Sequence, residues 1–190
     1  MAKEKYMAKK IIGDVILTSL YFKRLPDILK DITVNGDFFC YHNNLTSLIN
    51  APTNVGGNFG CGYNKLTSLE GAPKFVGGNF SCGNNRLTSL VGAPTNVDGD
   101  FYCNANRLTS LKGAPTNVGG DYHCGYNNLT SLVGAPTNVV GRFDCSNNNL
   151  ISLVGAPKTV GGHFYCNDNP GKFTVKQVRA ICDVKGKVYN

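Results

Sequence analysis

The sequence predicts a mainly β solenoid with a parallel sheet on one face and irregular loops on the other. A string of the type LTSLKGAPTNVGGDYHCGY returns every 21 residues, with starts from Leu45 to Leu150. One cysteine and one asparagine of each copy keep the same spacing. Such a period is typical of repeat proteins, whose units bury their apolar faces only by stacking on their neighbours. These residues are Cys40, Cys61, Cys82, Cys103, Cys124, Cys145 and Cys166, with Asn43, Asn64, Asn85, Asn106, Asn127, Asn148 and Asn169.

The chain before the regular repeats divides into two segments. Residues 1–12 are rich in lysine and have no apolar run long enough for a signal peptide, so we predict a flexible basic arm. Residues 13–36 contain a degenerate repeat, in which Leu17 and Ser19 stand 21 residues before Phe38 and Cys40. Serine in place of cysteine fits an end unit, and we predict an N-terminal cap over 13–36.

The regular turns occupy residues 37–169, and each contains an apolar residue two positions before its cysteine, such as Phe101 before Cys103. Alternation with a period of two indicates a short strand with one buried face. The Ala-Pro pair of each turn lies on the opposite, irregular side, because proline cannot donate to a central ladder.

Two further positions recur in every regular turn. The glycine two residues before the aromatic residue, such as Gly120 before Tyr122, predicts a positive φ or a bulge at the entry to the strand. The asparagine lies inside a bend, where its amide is expected to satisfy backbone groups of adjacent turns.

Residues 170–190 break the period and predict a helical C-terminal cap. Thr174 is a good N-cap residue. Val175, Val178, Ile181 and Cys182 share one helical face, which we expect to cover the last turn. The final residues Val188 and Tyr189 are read as a short strand.

The eight cysteines indicate a reduced core and therefore a cytoplasmic protein. Equivalent cysteines in stacked turns have parallel Cβ vectors, which keep the sulfurs too far apart for disulfides, so they act as small buried hydrophobes. No stretch approaches the 18 apolar residues of a membrane span, and we expect no membrane association.

The formal charge of +7 is carried by the ends of the chain, since residues 37–169 hold seven basic and seven acidic residues. A basic protein suggests nucleic acid as a partner. Within the repeats only Lys65, Arg86 and Arg107 form a basic row, which would give a modest, salt-sensitive contact. Nucleic acid is therefore disfavoured as the partner, although an accessory role that uses the basic ends stays open.

The run FxCxxNxLTSL resembles the core motif of leucine-rich repeats, with Phe101, Cys103, Asn106 and Leu108 at its apolar and asparagine positions. The chain is also similar to uncharacterised proteins of T4-like bacteriophages that carry LTSLxGAPxxVGGxFxC repeats. One departure is Val97, which stands four rather than three residues before Phe101 and predicts a local bulge. The resemblance implies a leucine-rich-repeat solenoid that binds a protein through its strand face, with a host or host-defence protein as the partner.

The outward strand positions vary between turns while the core positions hardly change, which leaves room for function on the strand face. Tyrosine and arginine are enriched in binding hot spots, and exposed aromatic rows reduce solubility. We therefore predict a protein-binding surface, with a merely solvated sheet face as the alternative. The candidate binding residues are Phe39, Tyr41, Tyr63, Asp100, Tyr102, Asp121, His123, Tyr126, Arg142, Asp144, His163 and Tyr165.

Catalysis is a weaker hypothesis. His123 beside Asp121 and Asp144 resembles a base with its orienting group, which leaves a hydrolase as a remote alternative. No nucleophile, phosphate loop or metal-ligand spacing accompanies these residues, so we expect no enzyme activity, no cofactor and no metal. The oligomeric state and the curvature of the coil stay open.

Overall fold

The computed structural model describes residues 9–190 and shows a parallel β-solenoid. Each turn contributes two short strands, one to each of two nine-stranded parallel sheets. The valine sheet consists of β1 Lys10–Ile11, β3 Thr33–Val34, β5 Asn54–Val55, β7 Phe75–Val76, β9 Asn96–Val97, β11 Asn117–Val118, β13 Asn138–Val139, β15 Thr159–Val160 and β17 Asp183–Val184. The aromatic sheet consists of β2 Val15–Ile16, β4 Phe38–Phe39, β6 Phe59–Gly60, β8 Phe80–Ser81, β10 Phe101–Tyr102, β12 Tyr122–His123, β14 Phe143–Asp144, β16 Phe164–Tyr165 and β18 Val188–Tyr189.

The second sheet corrects the expectation of a single sheet and of a bulge between Val97 and Phe101. Val97 ends β9 in the valine sheet, and Phe101 begins β10 in the aromatic sheet. The chain bends at Asp98 and Gly99 between them. The extra residue in the spacing therefore forms a corner between two sheets.

The corner glycines have a different role from the predicted one. Gly120 and its equivalents do not have positive φ, but a Cβ at Gly120 would collide with Asp100 Oδ1 of the preceding turn. Close approach of the neighbouring turn therefore requires glycine there. Among the glycines of the regular turns, the one before Ala-Pro has positive φ, for example Gly113 with φ of 86°.

The core is built from columns of identical residues, as predicted. One valine, one aromatic residue, one cysteine and two leucines of each regular turn point inward and are buried. Rings of adjacent turns stack, with the centroids of Phe80 and Phe101 5.3 Å apart. All eight cysteines are free and buried, and burial raises the pKa of Cys40 and Cys103 to about 12. The prediction of inward, unpaired thiols is confirmed.

The asparagine column bonds successive turns together, as predicted. The Asn127 amide nitrogen donates to the carbonyl oxygens of Cys103, at 3.1 Å in the preceding turn, and of Cys124, at 3.1 Å in its own turn. Its Oδ1 accepts from the Leu108 N–H at 2.9 Å. The same pattern recurs at the equivalent asparagines, for example at Asn148.

The first turn is shifted from the predicted register. Val15 rather than Leu17 pairs with Phe38, and Leu17 replaces the cysteine, since its carbonyl accepts from the Asn43 amide at 2.6 Å. A 3-10 helix at Asp27–Leu29 follows. Residues 1–8 of the predicted arm lie outside the described residues, and β1 occupies the end of that segment.

The C-terminal helix α1, Val175–Ile181, begins with a capping box between Thr174 and Gln177. The prediction of its buried apolar face is confirmed for Val178 and Cys182, which are buried. The prediction is wrong for Val175 and Ile181, which are 42% and 48% exposed. Ile181 lines an open pocket with Leu153, Ala156 and Phe173. After the helix, β17 and β18 continue both sheets. Within residues 9–190, no helix has the length and apolar character that crossing a membrane requires.

The asparagine column gives a stability prediction. Asn127→Ala removes an amide that satisfies buried backbone groups of two turns, and we expect a loss of about 3 kcal/mol in the free energy of unfolding. Asn128→Ala is the matched control, because that side chain is exposed, and its effect should stay within about 0.5 kcal/mol. Urea denaturation measures both, and equal losses would contradict the role of the column.

Tyr122 gives a second prediction. It is the only tyrosine in a column of phenylalanines, and its buried hydroxyl faces the Cys103 thiol, a weak partner, and has no other hydrogen-bond partner among the described residues. Because an unpaired buried hydroxyl is destabilising, Tyr122→Phe should raise the free energy of unfolding by about 1 kcal/mol. The reciprocal change Phe101→Tyr should lower it in the same urea assay. A loss of stability in Tyr122→Phe would show that the hydroxyl is satisfied.

Candidate binding face of the aromatic sheet

The second residue of each aromatic-sheet strand points outward, and together these residues form one row along the solenoid. Parallel pairing places them on successive rungs, such as Tyr102 beside His123 and His123 beside Asp144. The row consists of Ile16, Phe39, Gly60, Ser81, Tyr102, His123, Asp144, Tyr165 and Tyr189. Tyr189 was not among the predicted site residues, because the register of the last turn is not visible in the repeat.

A ladder of acidic and amide side chains runs beside this row. In six successive turns the Oδ1 atom of the residue before the aromatic-sheet strand accepts from the backbone N–H of its equivalent in the next turn. The ladder ends at Arg142, which has no Oδ1. The Asp121 N–H donates to Asp100 Oδ1 at 2.7 Å, and the Arg142 N–H donates to Asp121 Oδ1 at 2.6 Å. The ladder residues are Asp14, Asp37, Asn58, Asn79, Asp100 and Asp121. Asp100 and Asp121, predicted as binding residues, therefore also build the corner.

A notch interrupts the row where its residues are small, at Gly60 and Ser81. The Phe39 and Tyr41 rings stack 5.3 Å apart, and the Tyr41 ring covers Gly60 so closely that a Cβ there would collide with it. Tyr102 forms the other wall. The notch encloses about 260 Å³ and is lined by Phe39, Tyr41, Asn58, Phe59, Asn79, Ser81 and Tyr102.

A cluster of charged and aromatic side chains follows the notch. The Tyr102 hydroxyl donates to Asp100 Oδ2 at 2.7 Å, and the Tyr102 ring stacks on His123 at 4.9 Å between centroids. Arg142 Nε lies 3.2 Å from Asp121 Oδ2. Burial, the bond to Asp100 and the charges of Asp100 and Asp121 raise the pKa of Tyr102 to about 12.

His123 lies between two carboxylates of the same cluster. Its Nε2 is 3.6 Å from Asp121 Oδ2, and its Nδ1 is 3.5 Å from Asp144 Oδ2. The Ser146 hydroxyl donates to Asp144 Oδ1 at 2.6 Å. Burial alone would raise the pKa of Asp144, but the hydrogen bonds from His123 and Ser146 lower it.

The Ser146 hydroxyl and the cysteine thiols are not positioned as nucleophiles beside His123. The hydroxyl of Ser146 bonds the carboxylate rather than the imidazole, so the cluster has no nucleophile paired with a base. The thiols are buried, and burial raises the pKa of each one. Among residues 9–190, no group of three or more His, Cys, Asp or Glu side chains is arranged to hold a metal ion.

The remaining predicted residues lie at the ends and edges of the row. Tyr63 and Tyr126 occupy the exposed corner after the strands, with φ of 54° and 55°. His163 contacts the edges of Tyr165 and Tyr189, whose rings stack 4.5 Å apart. The basic row of Lys65, Arg86 and Arg107 is exposed and follows the asparagine column.

Comparisons of the chain with protein-family models, curated proteins and solved structures gave no match.

Asp144 gives a prediction on pH. Because its folded pKa is lowered, the ionised carboxylate contributes stability that is present above its unfolded pKa of about 3.9 and is lost as the pH falls through the folded value. Asp144→Asn should therefore be less stable than the wild type at pH 7, with the difference shrinking below about pH 4. Urea denaturation at several pH values tests this, and a difference independent of pH would contradict it.

Proposed function

We propose that the protein is a non-catalytic binding module that recognises a partner protein through the outward row of the aromatic sheet. The observation that supports this most is the contrast between inward and outward positions of the same strands. Phe101 and Tyr122 are neighbours in a nearly uniform buried column, whereas the adjacent outward residues are Tyr102 and His123. A rigid coil with a varied surface suits recognition, and rings with charged groups are typical of binding hot spots.

The finer identity of the solenoid rests on the resemblance described above. We infer a divergent leucine-rich repeat, and the FxCxxNxLTSL run with its asparagine column supports that assignment. The likeness to T4-like phage proteins favours a phage-encoded protein that meets a host or host-defence protein in the host cytoplasm. The uniformly free cysteines are consistent with such a reducing compartment.

A pull-down from host lysate tests the proposed face. The double variant Tyr102→Ala/Tyr165→Ala removes two rings from the row, and we expect it to lose most of the protein retained by the wild type, since truncating hot-spot residues costs about 2 kcal/mol or more each. The matched control Tyr21→Ala/Phe75→Ala removes two exposed rings elsewhere and should retain the partner. Retention by both variants would contradict the proposal. Thermal melting shows that each variant is folded.

A further inference from the structure

We propose that the notch between Tyr41 and Tyr102 receives an arginine side chain from a basic segment of the partner. This inference rests on the proposed function, because it names the chemistry that the aromatic-sheet face recognises. The notch is smaller than the cavities of about 300–1,000 Å³ that hold small molecules and cofactors. Its size therefore suits one side chain of a polypeptide.

The walls of the notch favour a cation. Phe39 and Tyr41 form one wall and Tyr102 the other. The faces of aromatic rings attract cations, and the planar guanidinium group also stacks on them. None of the lining residues is positively charged.

Two polar groups of the notch, Tyr102 and Asn58, can only accept hydrogen bonds from a ligand. The Tyr102 hydroxyl gives its proton to Asp100, so its oxygen can only accept from a ligand. The Asn58 amide nitrogen donates to both carboxylate oxygens of Asp37, at 3.1 and 3.2 Å, and its Oδ1 already accepts from the Asn79 N–H at 2.8 Å. The remaining capacity of Asn58 is therefore the second lone pair of Oδ1, which can only accept. A guanidinium group has five N–H donors and no acceptor, which complements such a site.

Charge complementarity supports the same occupant. Asp37 and Asp100 bond directly to residues that line the notch, and each adds negative charge behind one end of it. Arg142, the nearby cation, is already paired with Asp121. The whole protein has a formal charge of +7, so a basic peptide that binds it must meet a local acidic surface.

Fluorescence anisotropy with a labelled Gly-Ser peptide that carries spaced arginines tests the proposal. The matched peptide has citrulline at the same positions, which keeps the shape and removes the charge, and we expect it to bind at least about tenfold more weakly. Asp100→Asn should weaken binding of the arginine peptide several-fold. This variant keeps the ladder intact, because Asn58 and Asn79 serve in it as asparagines.

Two further variants locate the contact. Ser81→Leu fills the notch without a change of charge and should abolish binding. Asp98→Asn removes the same charge as Asp100→Asn from an exposed position at the valine sheet and should leave the affinity within about twofold. Urea denaturation confirms that each variant is folded.

Three results would overturn the inference: equal binding of the citrulline peptide, equal weakening by Asp98→Asn and Asp100→Asn, or full binding by folded Ser81→Leu. Displacement of the peptide by a neutral oligosaccharide at similar concentration would also overturn it, in favour of a glycan site. The pull-down separates the two proposals. If Tyr102→Ala/Tyr165→Ala still loses the lysate partner while the peptide fails these tests, the binding face stands and the arginine site does not.

Discussion

The structure depends on the hydrogen bonding of backbone groups where the chain bends inside each turn. Strands of only two residues pair few backbone N–H and C=O groups with neighbouring strands. Many of the remaining backbone groups are buried inside the narrow coil. The asparagine column solves this at one bend, since each amide bonds carbonyls of its own turn and of the preceding one. Because one of the acceptors belongs to the preceding turn, a turn satisfies its backbone only within the stack. This is the physical reason for the strict repetition of the sequence.

The second bend follows the same principle with different chemistry. At the corner between the sheets, a glycine lets the preceding turn approach, and a carboxylate or amide of that turn accepts the N–H of the residue that follows the glycine. The glycine and the ladder are therefore one device: a side chain at Gly120 would displace Asp100, and loss of the Asp100 acceptor would leave the Asp121 N–H unpaired. This corner also places carboxylates directly beside the outward row of the aromatic sheet. The same residue position therefore contributes both to the packing of the corner and to the surface beside the row.

How much of this follows from the sequence depends on whether a feature repeats. The inward cysteines and leucines and the role of Asn127 are predictable, because each turn is an independent instance of one environment. The corner at Gly99 was predicted as a bulge, since a spacing of four residues between Val97 and Phe101 does not reveal a change of sheet. The register of the first turn and the exposed Val175 and Ile181 were missed, because each occurs once and depends on the neighbouring turn. The notch was also not predictable from the sequence, because the contact of the Tyr41 ring with Gly60 exists only in the folded chain.

The residue types in the ladder show which of its properties, the hydrogen-bond acceptor or the negative charge, the corner depends on. Each ladder residue supplies an acceptor at Oδ1, and the asparagines at positions 58 and 79 do this as well as the aspartates at 37, 100 and 121. Amide and carboxylate oxygens accept the same N–H at nearly the same distance, so the corner does not need the negative charges. Asp100 instead accepts the hydrogen bond of the Tyr102 hydroxyl, and burial, this bond and the charge of Asp100 together raise the pKa of Tyr102. Negative charge on this face is therefore a feature that the stacking of turns does not explain and that the proposed recognition of a cationic partner would explain.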